Sequence, residues 1–147
     1  MHRYLVELNI AGDCIKEEEV SRLLGRPATR FFAKGQKRSP TSVWERSIWS
    51  FEVLPPAARD WASLEDGLTY LLQELMPSKE AVAELATSCE VTVYCGHFYT
   101  SFGGGPTLSP QVLGLLAQFG VKLTISNYWS DNEFAEKNLS DLQKVLP

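Results

Sequence analysis

Apolar side chains alternate with polar ones through residues 3–10, with Tyr4, Val6, Leu8 and Ile10 on one side and Arg3, Glu7 and Asn9 on the other. That period predicts a strand with one buried face. The period then lengthens to that of a helix. Asp13 is the expected N-cap, Glu17, Glu18 and Glu19 fall where the helix dipole favours anions, and Val20, Leu23 and Leu24 form the apolar stripe. Gly25 and Pro27 end it. A short second strand is predicted over residues 29–34, and the segment GQKRSPTS reads as a polar loop. A longer third strand over residues 43–54 has a slipped period, with Trp49, Phe51 and Val53 on one face and Trp44, Arg46 and Ile48 on the other. This predicts either two partly covered faces or a bulge near Ser47.

Beyond Pro55 and Pro56, Ser63 and Asp66 resemble a capping box for a helix bearing Leu64, Leu68, Leu71, Leu72 and Leu75. Pro77 ends that helix, and Ser78 is expected to cap a shorter one with Val82 and Leu85. Residues 90–99 alternate but are apolar on both sides, the signature of a central strand. After three glycines, Ser109 and Pro110 open a helix closed by Gly120, and a last strand spans 121–128. Ser130 and Glu133 suggest one more cap, before a weakly amphipathic tail with Leu139, Leu142 and Val145.

The order predicts an α+β fold: a mixed sheet of about five strands with helices mainly on one face, as a ferredoxin-like core with additions would have, its crossovers right-handed. Residues 1–147 are expected to form a single domain, with 129–147 a C-terminal extension packing on it. A strand, a helix with V-x-x-L-L, a glycine and a strand occur at 3–34 and again at 90–128. At 147 residues with 44% apolar content, the chain can bury roughly 70% of its unfolded surface without metal or disulfide. No apolar run approaches the ~20 residues of a membrane span and the start lacks a signal-peptide pattern, so a cytoplasmic location is expected. Three cysteines without a C-x-x-C pair (Cys14, Cys89, Cys95) agree with free thiols, buried or half-buried.

Charge is distributed unevenly. Between Arg26 and Arg46 lie six basic residues and one acid, Glu45, a local +5 that leaves −9 for the rest of a chain with formal net charge −4. The basic stretch could steer an anionic partner, or be a solvated loop whose cations pair with nearby carboxylates.

Specific chemistry is sparse. Cys95 and His97 share a strand face roughly 7 Å apart, too far for a nucleophile–base pair without a bend at Gly96, and two ligands fall short of a zinc set. A structural histidine is the expectation. The Gly103–Pro106 loop before a helix could present N–H groups to an anion but has no Gly-Lys-Ser/Thr; it reads as a connection. No metalloprotease, nucleophile-elbow, Walker or dinucleotide motif occurs, so neither a catalytic residue nor a metal or cofactor is expected, and the balance leans away from an enzyme.

The stretch IAGDCIKEEEVSRLLGRPATR, the Lys34-Gly35 pair, WSFE at Trp49–Glu52, LEDGLTYLLQEL, and GGGPTLSPQVLGLLAQFGVKLTIS, in this order and spacing, resemble the bacterial family of domain of unknown function 4279. That family's last strand is usually acidic and ends in an aromatic; Ser126, Asn127 and Tyr128 keep the aromatic and lose the acid. The resemblance implies a compact cytoplasmic α+β domain of undetermined activity, with no functional residues to carry over.

The remaining candidate is a surface. If helices cover the face bearing Val6, Leu8, Phe31, Trp49, Phe51, Val93 and Ile125, the opposite face shows Leu5, Glu7, Arg30, Phe32, Arg46, Ile48, Tyr94, Phe98, Lys122 and Tyr128. Aromatics interleaved with arginine are typical of binding surfaces. The expected function is therefore a non-enzymatic protein-binding module, with Arg30, Phe32, Arg46, Tyr94 and Phe98 as binding residues. The partner would be a protein, in an immunity-like case a toxin that the chain neutralises, or a second copy in a homodimer. The alternatives are an enzyme or binder acting on an anionic small molecule held by Arg30, Lys34 and Arg46, and a single-stranded nucleic-acid binder. The acidic balance and the missing Lys/Arg-Gly-Phe/Tyr strand motif count against nucleic acid.

Overall fold

The computed structural model describes residues 1–101 and 103–129. The cap at Ser130, the amphipathic tail and all but the first residue of the expected C-terminal extension lie outside the described residues.

Among the described residues, seven strands and four α-helices follow one another: β1 (His2–Gly12), α1 (Glu17–Leu24), β2 (Arg30–Phe32), β3 (Lys37–Ser39), β4 (Ser42–Val43), β5 (Ser47–Val53), α2 (Leu64–Leu75), α3 (Lys79–Leu85), β6 (Glu90–Tyr99), α4 (Pro110–Phe119) and β7 (Lys122–Trp129). The main sheet has the order β2-β5-β1-β6-β7, and β3 and β4 form a separate hairpin. Strand β1 is antiparallel to both β5 and β6, β2 is antiparallel to β5, and β6 and β7 are parallel. Strands β1 and β2, joined through α1, thus run the same way with β5 between them, and β5 and β6, joined through α2 and α3, run the same way with β1 between them. Two split β-α-β units interleave, and α4 with β7 adds a fifth strand beside β6. The repeated pattern seen in the sequence therefore has two outcomes, since β6 and β7 are neighbours while β1 and β2 are not.

Alternation decides which face the helices cover. Val6, Leu8, Ile10, Trp49, Val53, Val91, Val93 and Cys95 join the leucines of α2 and the apolar stripes of α1, α3 and α4 in one buried core. Helix α2 crosses so close to β1 that a Cβ on Gly67 would sit 2.7 Å from Val6 Cγ2. Among the described residues, no helix is long and apolar enough to cross a membrane.

Local signals held where they were strongest. The Ser63 hydroxyl accepts from Asp66 N–H at 3.1 Å, Ser109 from Val112 N–H at 3.3 Å, and Gly25 and Gly120 end α1 and α4 in the left-handed conformation. Three expectations need correction. Asp13 is not the cap of α1; Lys16 holds that position without a side-chain bond, and Asp13 pairs with Lys34 at 3.5 Å. Ser78 precedes α3, but its hydroxyl donates to Leu24 O at 2.9 Å, tying α3 to the end of α1. The strand expected over 43–54 is broken. Pro40 and Thr41 turn the chain between β3 and β4, where the sequence suggested only a loop, and β5 begins at Ser47. A single strand cannot serve both sheets, so Trp44 and Arg46 belong to the connection and not to the face of β5.

Candidate functional site

The face of the sheet away from the helices carries a row of side chains fixed by register. Glu7 of β1 stands opposite Glu52 of β5 and Tyr94 of β6, and Tyr94 is level with Thr124 of β7. Glu7 is only 2% exposed and is the immediate hydrogen-bonding partner of Arg30, whose other guanidinium nitrogen lies 3.9 Å from Glu52. Burial pushes both carboxyls up; Arg30 opposes that shift in each, while Glu7 adds to it in Glu52. Asn9 also bonds to the Glu7 carboxylate, and its Oδ1 accepts from Ser50 Oγ at 2.7 Å. The charged centre of the face is thus internally satisfied.

A cleft of about 450 Å³ opens beside it, between the sheet and the β3–β4 hairpin. Asn9, Thr92, Tyr94, Thr124 and Ser126 form its floor, Ala11, Ile48, Val43 and Trp44 its apolar wall, and Arg38, Glu45, Arg46 and Glu90 its charged rim. Trp44 is the pin. It is 4% exposed, stacked on Phe32 with centroids 4.5 Å apart, with the Arg38 guanidinium 4.7 Å from the other side of its ring. Its backbone exchanges hydrogen bonds with the turn that leads into β3, Gly35 N–H donating to Trp44 O and Trp44 N–H to Gln36 O. The Ser39-Pro40-Thr41 turn was the sequence signal for this hairpin.

Of the five residues expected to bind, Arg46 and Tyr94 line the cleft, and Phe32 supports it from behind Trp44. Arg30 is held by Glu7 and Glu52. Phe98 belongs to a second small core with Leu5, Tyr94 and Tyr128, its ring stacked on Tyr128 at 4.8 Å. Tyr94 Oη and Tyr128 Oη are 2.7 Å apart, and burial pushes the Tyr94 hydroxyl well above the usual range. Trp44, Arg38 and Val43 were not foreseen.

The basic stretch is largely neutralised by the acidic remainder. Arg26 pairs with Glu74 at 3.2 Å, Arg30 with Glu7, Lys34 with Asp13, and Arg46 with Glu90 at 2.9 Å. Glu90 also holds Lys122 at 2.6 Å, and the two cations, Lys122 foremost, keep its carboxyl below the usual range.

Other candidates resolve plainly. Cys95 lies in the core, where burial pushes its thiol up to about 12, and both ring nitrogens of His97 are taken by His2 and Asn127. Cys14 is exposed rather than buried, Cys89 is half-buried, and all three cysteines are free. The N–H of Ser109 donates to Glu65 Oε1 at 2.5 Å, so a carboxylate already stands at the start of α4, the place considered for an anion beside the glycine-rich loop. Among the described residues, no group of three or more histidine, cysteine or acidic side chains could hold a metal ion.

Fold and cleft together define an α+β domain with a helix-backed five-stranded sheet and a hairpin-roofed cleft on the face away from the helices. The chain belongs to the family described as Domain of unknown function (DUF4279), which matches residues 2–130. No curated protein and no solved structure matches it.

Proposed function

We propose that the domain is a protein-binding module that receives a segment of its partner in the cleft beneath the β3–β4 hairpin. The observation that carries this reading is the cleft's composition. Trp44, Arg38 and Arg46, residue types enriched in binding hot spots, stand around a floor of neutral hydroxyl and amide groups suited to a polypeptide backbone. The apolar Val43 beside them is 52% exposed. Neutralisation of a toxin is one form such recognition would take.

The ion pairs weigh against the small-anion reading, because Arg30, Lys34 and Arg46 would each have to leave a carboxylate to clamp an anion. Catalysis is disfavoured by the same lining, in which no histidine or cysteine stands among the described cleft residues.

The test is photo-crosslinking. A benzophenone side chain placed at Val43 is expected to give a discrete protein adduct in the native lysate, competed by excess unmodified domain. The same group at Leu113 on α4, 49% exposed, is expected to give none. Equal labelling from both positions, no adduct from Val43, or an adduct only with a second copy of the chain would overturn recognition of a foreign protein at this cleft.

A further inference from the structure

At the other end of the sheet, on its helix side, register brings together His2 and Tyr4 of β1, His97 and Tyr99 of β6, and Asn127 and Trp129 of β7. These positions sit at the carboxyl ends of the parallel pair β6–β7, where ligands of parallel α/β units commonly bind. The rings are nearly parallel in a stepped row: His97 lies 5.1 Å from Tyr4, 5.1 Å from His2 and 5.0 Å from Tyr99, all with interplanar angles below 30°.

Hydrogen bonds order the protons along this row. His97 Nδ1 is 2.9 Å from Asn127 Oδ1, and a carbonyl oxygen can only accept, so His97 carries its hydrogen on Nδ1. His97 Nε2 is then an acceptor, and His2 Nδ1, 2.9 Å away, must be the donor. That leaves a lone pair on His2 Nε2. The loop after β6 passes this atom through Gly104, held at φ +76°, where an added Cβ would lie 3.6 Å from Nε2. Trp129, 42% exposed, stands edge-on to Tyr99 at the outer end. An imidazole oriented by a second group that is itself oriented by a third has the logic of a catalytic base.

We propose that His2 is the proton-accepting group of a second site, separate from the cleft, which takes planar ligands bearing a weakly acidic O–H, of the phenol or enol class. The ligand lies against the aromatic row and gives its proton to His2 Nε2. The hydrogen on His2 Nδ1 shifts toward His97 Nε2, so the positive charge spreads over two rings flanked by the faces of Tyr4 and Tyr99, and the ligand is held as its anion. His2 is the residue that touches ligand; His97 and Asn127 are positioning residues.

4-Nitrophenol is the probe, because its phenolate alone absorbs in the visible. At a pH where the free phenol is mostly protonated, titration with the intact protein is expected to give a saturable rise in phenolate absorbance. The rise is expected to vanish in His2→Phe and to fall about threefold or more in Asn127→Leu, which removes the acceptor at an exposed position. Asn127→Asp, which keeps the acceptor, is expected to restore it. Long-range nitrogen–proton NMR on the free protein is expected to find the His2 hydrogen on Nδ1. A hydrogen on His2 Nε2, no saturable rise, or a rise unchanged in His2→Phe or Asn127→Leu would overturn the proposal.

Discussion

Glu7 and Glu52 face each other directly across the β1–β5 pair, and a single guanidinium, that of Arg30, reaches both. Of the two carboxyls that this guanidinium reaches, the one more weakly tied to it is Glu52, at 3.9 Å. Its proton is held to higher pH in the folded state than in the unfolded chain, by burial first and by Glu7 second. Folding is therefore unopposed by this group below the ordinary glutamate range and is opposed once pH has risen through the raised value. Glu52→Gln is expected to stabilise the protein by up to about 1 kcal/mol at neutral pH. That gain is expected to disappear as pH falls below ~4, where both carboxyls are protonated in either state. Arg30→Ala is expected to cost roughly 3 kcal/mol at neutral pH, and adding Glu52→Gln to recover part of it. Urea unfolding at several pH values measures all three variants.

Gly67 and Gly114 both lie within helices, yet the same substitution should act with opposite sign. A Cβ on Gly67 meets Val6 at 2.7 Å and the Trp61 ring at 3.3 Å, whereas nothing lies within 4 Å of one on Gly114. Gly67→Ala is expected to destabilise by about 1–3 kcal/mol through overpacking. Gly114→Ala is expected to stabilise by up to about 1 kcal/mol through helix propensity. Thermal denaturation of the two variants decides it; equal signs would mean that α2 can move away from β1.

Trp44 fastens the hairpin, not the main core, and hydrogen exchange separates the two roles. With Trp44→Ala, the amides of Gly35 and residue 44, both bonded within the hairpin, are expected to exchange about tenfold faster or more, a local loss of ~1.4 kcal/mol. Amides of β6 and α2 are expected to keep their protection. Trp44→Phe, which retains a ring against Phe32, is expected to fall between. Uniform acceleration across the sheet would show that Trp44 belongs to the cooperative core.

Much of this architecture was legible because it rests on local rules. Alternation in β1 sorted Val6 and Leu8 from Glu7 and Asn9, and the glycines after α1 and α4 marked their ends through a conformation that glycine adopts without strain. What stayed hidden depended on partners distant in sequence. The slipped period at Trp44–Ile48 was visible, but a bulge within one strand and a break between two sheets leave the same trace, and only the contact with Phe32 and Arg38 distinguishes them. Of the two readings open for the basic stretch, a steering patch or a loop paired with carboxylates, the ion pairs support the second; its partners could not be named from the sequence because Glu7, Asp13, Glu74 and Glu90 come from β1, the loop after it, α2 and β6. Likewise, His97 had no visible partner in its own segment, since His2 and Asn127 arrive from the two neighbouring strands.

The same pairings bear on nucleic acid. Among the described residues, at least four of the six cations between Arg26 and Arg46 are engaged by carboxylates, so a phosphate contact from any of these would need to displace an acid from a chain already at −4. A phosphate contact from Lys37 on the hairpin would give a salt slope of about −0.7 in log–log form, the value per neutralised phosphate on a single strand. Stacking fares no better. Tyr94 and Phe98 are each 5% exposed and Phe98 already lies against Tyr128, so neither offers the open ring that single-stranded nucleic acids use. Fluorescence anisotropy with a labelled single-stranded RNA at low salt is expected to show no saturable binding. Binding that weakens steeply as salt rises would mean that the ion pairs open readily and that the basic stretch, not the neutral floor of the cleft, is the functional surface. A protein ligand seated on Asn9, Thr92, Thr124 and Ser126 is expected instead to keep its affinity within about threefold over the same salt range, because screening acts on exposed charges and little on hydrogen bonds between neutral groups.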